Sequence, residues 1–351
     1  MKILVIQQKM IGDVLVSSSI CNTLKNEFPN AQIDYLIYPF TFPVVENNPN
    51  IDRIILFEER YRKSKKSLLQ FCLKIRKADY DVVVDAYGKI ESNLIVAFSG
   101  AKKKIGFYKS YTSFIYTHSY KERTIADTNA GLAIENRMLL LDSFTLKKPL
   151  ENKPKIFLRQ TEIENGKQIL IQNKIDFSKK TYMIGVLGSG KTKTYPDKYM
   201  AELLDKIVSN TGATLLFNYI PSQLKEAQNI FDLCQPATQQ NIKIDIVPKS
   251  IREFLSITYH CDALIGNEGG AVNMAKALNI PTFTIFSTWI IKEAWNSFED
   301  SKNVSVHLKD FKPELYQGKT AKAMKNKYLS LYQAFKPELL LATLINYLKT
   351  N

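Results

Sequence analysis

The chain has 351 residues, 45% apolar and 23% charged, enough for two soluble globular domains with a core each. No apolar run approaches the roughly 18 residues of a membrane span, and Met1 leads straight into KILVIQ, so no signal peptide is expected and we place the chain in the cytoplasm. Lys plus Arg is 48 against 34 Asp plus Glu, a net charge of +14 that suits an anionic partner or is simply a lysine-rich solvated surface; no nucleic-acid-binding pattern accompanies it.

The elements alternate from end to end. A strand at 2–7 precedes a helix near 13–28 and a strand at 32–38. After the turn-rich ENNPNIDRII come a helix near 64–77, a strand at 81–87, a helix over 91–99 and a helix near 129–142. The polar stretch LKKPLENKPK (146–155) separates this series from a second. That one runs helix 161–173, strand 182–188, a helix after Pro196, strand 213–220, helix 222–233, strand 243–247, helix 250–259, strand 262–267, helix 271–278 and strand 282–287. Strand–helix alternation means right-handed βαβ units and parallel sheets. The reading is therefore α/β with two doubly wound domains, 1–153 and 154–330. A terminal helix in 331–351 is expected to pack back on the first domain. The single cysteines Cys21, Cys72, Cys234 and Cys261 read as reduced and buried.

Gly185-Val-Leu-Gly-Ser-Gly-Lys-Thr192 fits the pattern G-x-x-x-x-G-K-[ST] of nucleotide hydrolases. In such a loop the helix starts at the G-K-[ST] end. Here Gly185 falls inside the apolar run YMIGVLG, and Pro196, four residues past Thr192, marks the helix start instead. No later strand ends in an aspartate suited to magnesium. The match is therefore read as accidental, but its chemistry remains: Ser189, Lys191, Thr192, Lys193 and Thr194 gather donors and positive charge before a helix N-terminus. Asn267-Glu268-Gly269-Gly270 delivers a second strand to a helix in the same half, with glycines that let backbone N–H groups approach an anion. One diphosphate fits both loops. Each is also explicable as a plain surface turn.

The loop after the first strand, QQKMIGDVLVSSSI, lacks G-x-G-x-x-G, which argues against a dinucleotide-dependent dehydrogenase. It places Gly12 and Asp13 at a strand's carboxyl end, where an aspartate either caps the helix or serves as a base. TWIIKEAW (288–295) offers Trp289 and Trp295 as rests for a base or sugar, although packing on the domain is the simpler role.

In this order, these segments resemble glycosyltransferase family 9, the ADP-heptose:lipopolysaccharide heptosyltransferases. The opening strand with Gly12-Asp13-Val14, the segments VVENNPNIDRII and GAKKKIGF, Lys193-Thr194-Tyr195-Pro196 for the family's K-x-W-P, and Asn267 to Leu278 for its (N)D(S/T)GxxHxAxAL carry the likeness over most of the chain. The resemblance implies two facing Rossmann-like domains (GT-B), and an inverting, metal-independent transfer with no cofactor. Its donor is a nucleotide-diphosphate sugar such as ADP-heptose. By the same resemblance Asp13 is the general base. Ser189, Lys193 and the N–H groups of Gly269, Gly270 and Ala271 hold the donor diphosphate, and Gly12, Lys191, Thr192, Glu268 and Asn273 are candidate further contacts. The acceptor is an anionic glycolipid or other glycan, with peripheral contact to the inner membrane surface. This sequence departs from the family at Glu268 for Asp, Gly269 for Ser/Thr and Asn273 for His, which puts donor sugar and activity in question. An epimerase or hydrolase of the same fold, and a non-catalytic nucleotide-binding protein, are the competing readings.

Overall fold

The computed structural model describes residues 1–146, 150 and 152–351, so part of the expected linker, at 147–149 and 151, lies outside the described residues. The chain divides into two units, Met1–Phe157 and Leu158–Asn351, four residues later than the boundary expected from the sequence.

In the first unit the strands are β1 (Lys2–Ile6), β2 (Gln32–Ile37), β3 (Arg53–Leu56), β4 (Val82–Asp85), β5 (Lys103–Phe107) and β6 (His118–Tyr120). They form one sheet in the order β3-β2-β1-β4-β5-β6, parallel at every pairing. The first strand's register, Ile3 beside Val82 and Ile6 beside Asp85, buries an almost unbroken apolar run, as expected where helices cover both faces. Its helices of seven or more residues are α1 (Ile11–Glu27), α2 (Lys65–Lys77), α3 (Ile90–Phe98) and α4 (Leu132–Leu139).

The second unit repeats the plan. Its strands β7 (Thr181–Gly185), β8 (Thr214–Phe217), β9 (Ile242–Lys243), β10 (Ala263–Asn267), β11 (Thr282–Ile285) and β12 (Asn303–Val306) lie in the order β12-β11-β10-β7-β8-β9, again all parallel. Counted within each unit, both sheets read 3-2-1-4-5-6, the Rossmann order. The chain reverses direction across the sheet between β1 and β4 in one unit, and between β7 and β10 in the other. Loops leaving the carboxyl ends of those strands border a crevice, and such crevices are where open α/β sheets bind ligands. The helices of seven or more residues here are α5 (Gln160–Gln172), α6 (Asp197–Thr211), α7 (Leu224–Leu233), α8 (Ile251–Thr258), α9 (Gly270–Ala277), α10 (Tyr328–Ala334) and α11 (Pro337–Thr350).

Four strands were not expected. β3 is a four-residue edge strand behind a turn-like NNPN. β5 opens with two lysines, yet Lys103 bends back so that its ammonium meets the Ser143 carbonyl at 2.6 Å above the Phe144 ring. β6 has three polar-edged residues, and β12 alternates polar and apolar. β9, expected over 243–247, is only two residues long.

α11 is counted with the second unit. Leu340 and Leu344 are fully buried in the second unit's core, and Tyr347 meets Phe283 of β11 at 5.4 Å. Its apolar face is used there. All four cysteines are free and buried, as expected.

Candidate functional site

Two glycines bring the second unit's switch point together. Gly266 sits in β10 at φ +139°, and a Cβ there would stand 2.3 Å from the Gly185 carbonyl oxygen of β7. Gly188 lies so close to Lys193 that a Cβ would meet the Lys193 carbonyl at 2.2 Å, which folds the loop after β7 back on itself. Within that loop Lys191–Lys193 makes one 3₁₀ turn, Thr194 Oγ1 accepts from Gly188 N at 3.1 Å, and Pro196 caps α6. Gly185 is the last residue of β7 and the α-helix starts at Asp197 and not at Lys191, so the geometry is that of a cap at Pro196 and not of a nucleotide-hydrolase loop.

Asn267 ties the loop to the sheet. It is buried at the end of β10; its Nδ2 donates to the carbonyls of Gly185 (2.9 Å) and Val186 (3.0 Å), and its Oδ1 accepts from Tyr195 N (2.7 Å). The residues that follow place Glu268 beside the loop, with Lys193 Nζ 3.1 Å from Glu268 Oε1. This is an ion pair set outside hydrogen-bond angles, since that oxygen has no hydrogen-bond partner among the described residues. The first turn of α9 begins at Gly270, and its N–H groups, those of Gly270 and Ala271 included, have no carbonyl one turn earlier to bond. A Cβ on Gly190 or Gly269 would meet nothing within 4 Å, so both loop tips border open space. Lys193, Gly269, Gly270, Ala271 and Glu268 thus come together, with Thr192 part of the same turn. Ser189 and Lys191 are exposed at its tip, and Asn273 is half-buried one turn into α9.

The loop is braced from behind. The Thr192 carbonyl accepts from Ser287 Oγ at 2.8 Å and from the Trp289 indole N–H at 2.9 Å. Trp289 therefore supports the loop, with Lys193 Nζ 5.7 Å and Lys325 Nζ 4.8 Å from its ring, while Trp295 is exposed. Lys276 of α9 is buried with its ammonium 2.5 Å from the Ser297 carbonyl, and burial pulls its pKa down to about 8. A cavity of about 520 Å³ opens on another flank of the loop, lined by Leu187, Lys191, Tyr195, Asp197, Glu226 and Tyr328 among others. Two carboxylates in its wall make it hostile to a phosphate, and burial followed by the Glu226 charge raises the Asp197 pKa. The anion-suited ground is the Lys193–Gly270 side.

In the first unit, α1 starts past the carboxyl end of β1, placing Gly12 in its first turn and Asp13 at its third position. Asp13 does cap: Oδ2 accepts from Met10 N at 3.3 Å. Its other oxygen accepts from Arg137 Nη2 at 2.7 Å, a half-buried ion pair. Arg137, on α4, is itself held by Ser17 Oγ and the Ala133 carbonyl. Beside it at the switch point, Asp85 ends β4 fully buried, accepting from Tyr87 N, Gly88 N and the Tyr116 hydroxyl; burial raises its pKa.

Sequence reasoning named Asn267 without its bracing role and missed Ser287 and Arg137, while Trp289 takes the packing role that the sequence favoured. Only Asn267 had a signal, as a polar residue closing an otherwise apolar strand.

Two Rossmann-order units, the second with anion-suited loops on both sides of its switch point, define an α/β glycosyltransferase of GT-B type. The family model described as glycosyltransferase family 9 (heptosyltransferase) matches residues 68–325, and the chain belongs to that family. Lipopolysaccharide heptosyltransferase 1 of Campylobacter coli is 28% identical over 291 residues, covering 82% of this chain and 84% of the relative. A glycosyl transferase family 9 structure from Veillonella parvula superposes with a TM-score of 0.78 at 14% identity, covering 100% of this chain and 97% of that one. The E. coli heptosyltransferase WaaC with ADP-2-deoxy-2-fluoro heptose gives 0.65 at 17% identity, covering 93% and 98%.

Proposed function

We propose that this glycosyltransferase moves a heptose or related sugar from an ADP-linked donor to a lipopolysaccharide-type acceptor, with inversion and without a metal. The observation that supports this best is the Lys193–Glu268 juxtaposition at the switch point, which sets a lysine and a helix N-terminus on one patch of open space. A family relative was solved with an ADP-heptose analogue, which points to the same donor class here.

In this reading the donor diphosphate lies against Lys193 and the first N–H groups of α9, with Ser189 and Lys191 at its rim. Asp13 takes the proton from the acceptor hydroxyl as that oxygen attacks the anomeric carbon. The bond from anomeric carbon to phosphate oxygen breaks, its electron pair leaving on the diphosphate. Lysine and helix-terminus charge stabilise that leaving group at the moment it forms. Arg137 holds the Asp13 carboxylate in a fixed direction. Glu268 shares Lys193 until the diphosphate competes for it.

The test is ADP release from ADP-heptose with a heptose-deficient lipopolysaccharide core, in EDTA, for the wild type and Asp13→Asn. A general base contributes about 10²–10⁴-fold, so the variant should lose at least that much turnover while still binding ADP. The anomeric configuration of the product, read by NMR, decides inversion. Equal turnover by both forms rejects Asp13 as base; donor consumption without acceptor favours an epimerase or hydrolase.

A further inference from the structure

The outer face of the first unit carries an apolar stripe that its own core does not use. α3 buries Ser92, Asn93, Ile95 and Val96, yet Ile90, Leu94 and Phe98, each four residues apart, all face solvent, Ile90 at 77% exposure. Residues at that spacing share one side of a helix. The neighbouring α2 does the same: it buries Phe71, Cys72 and Ile75 and exposes Leu69 and Leu73. An Arg62–Glu91 ion pair of 3.0 Å joins the chain just before α2 to the first turn of α3. On the far side of α3 the 3₁₀ turn Ser113–Ile115 holds out Phe114 at 83% exposure, just before Tyr116, whose hydroxyl oxygen lies 2.7 Å from Asn93 Oδ1. Soluble proteins seldom leave so many large apolar side chains together in water unless something covers them.

Charge says what covers them. α2 has five cations, Lys65, Lys66, Lys74, Arg76 and Lys77, and no acid. The one acid of α3, Glu91, is already paired. Exposed apolar side chains flanked by lysines on helices lying side by side fit the boundary of an anionic bilayer, where the apolar groups enter between headgroups and the ammoniums meet lipid phosphates.

We infer that the face formed by α2, α3 and Phe114 is the surface by which this protein docks on an anionic lipid bilayer. This rests on the proposed function and deepens it. α3 starts just past the carboxyl end of β4, the neighbour of β1, so the patch begins at the same carboxyl end of the sheet as Asp13. A lipid-anchored acceptor lying in the bilayer would reach the base without leaving the membrane.

Co-sedimentation with phosphatidylglycerol/phosphatidylethanolamine vesicles and with pure phosphatidylcholine vesicles tests the inference, using wild type, Leu94→Glu/Phe114→Glu and Lys65→Gln/Lys66→Gln. The wild type should bind the anionic vesicles, and release in high salt. Each lysine removed should weaken binding about fivefold, and the apolar double variant should lose it at least tenfold. Turnover of a delipidated acceptor should be equal in all three, because none of these residues touches substrate. Absence of wild-type binding, or equal binding by Leu94→Glu/Phe114→Glu, overturns the inference. So does a gel-filtration shift from dimer to monomer in that variant without vesicle binding by the wild type, which would make the face a contact between copies. Vesicle binding with no wild-type turnover of any acceptor would instead sink the proposed function and leave the docking face standing.

Discussion

Asn267 offers the sharpest test of how the anion-suited loop is held. Replacing it with Ala strands the buried Tyr195 N–H, whose partner is Asn267 Oδ1 at 2.7 Å, and removes the donor shared by the Gly185 and Val186 carbonyls. A buried N–H left without a partner costs about 1–3 kcal/mol. Carbonyls tolerate the loss better, so the total should be about 3 kcal/mol. For a unit of this size, each kcal/mol lowers the melting temperature by about 2–4 °C, so the loss is roughly 6–12 °C. Asp at the same position is nearly the same shape and still accepts from Tyr195. It would, however, set an oxygen about 3 Å from two carbonyl oxygens and bury a charge. Asn267→Asp should therefore be at least as harmful as Asn267→Ala. The assay is thermal unfolding with and without ADP, together with hydrogen exchange over 186–195, where both variants should lose protection and most of the ADP-induced stabilisation. An Asp variant as stable as wild type, or an Ala variant within about 1 kcal/mol of it, would refute the reasoning.

Three more expectations follow from the same unit. Lys193→Met should weaken ADP binding at least tenfold and also destabilise the fold, because Glu268 is left nearly buried without its partner; adding Glu268→Gln should restore the stability but not the affinity, a pattern read by calorimetry and melting. Gly266→Ala should disable the second unit, since its Cβ would press on the Gly185 carbonyl at φ +139°, whereas Gly212→Ala, also at positive φ but with open space around it, should cost only about 1 kcal/mol; comparable melting losses for the two would contradict this. Lys276 titrates near 8 when folded and at 10.5 when unfolded, so from pH 8 to 10.5 the unfolded chain carries a proton the folded chain lacks, and stability rises with pH by up to about 3 kcal/mol. Denaturant titrations should show that rise in the wild type relative to Lys276→Met; parallel curves would mean the amine is charged and solvated.

What could be read from the sequence followed periodicity. β1, β2, β4, β7, β8, β10 and β11 are apolar runs long enough to sit between helix layers, and all were legible. The missed strands are short, lie towards the sheet edges, and are mixed with arginine, lysine, histidine or asparagine, so their strand character comes from the neighbour they pair with. The two loops and Asp13 were legible as chemistry because glycine, lysine and carboxylate stand at strand ends. Arg137 was not, lying 124 residues from Asp13 in sequence, since only the fold brings α4 beside α1. The terminal helix was legible only as amphipathic, a pattern that announces a buried face without naming the surface that buries it.

The bracing of the Thr192 carbonyl by Ser287 and Trp289 separates two duties within nine residues of chain. The scaffold half is fixed before any ligand arrives, so little ordering entropy remains to be lost on binding. The tip, Ser189 to Lys191, faces water and carries none of that tethering. Under the proposed function, substitutions there would change the contacts offered to a donor while the start of α6 stays where it is.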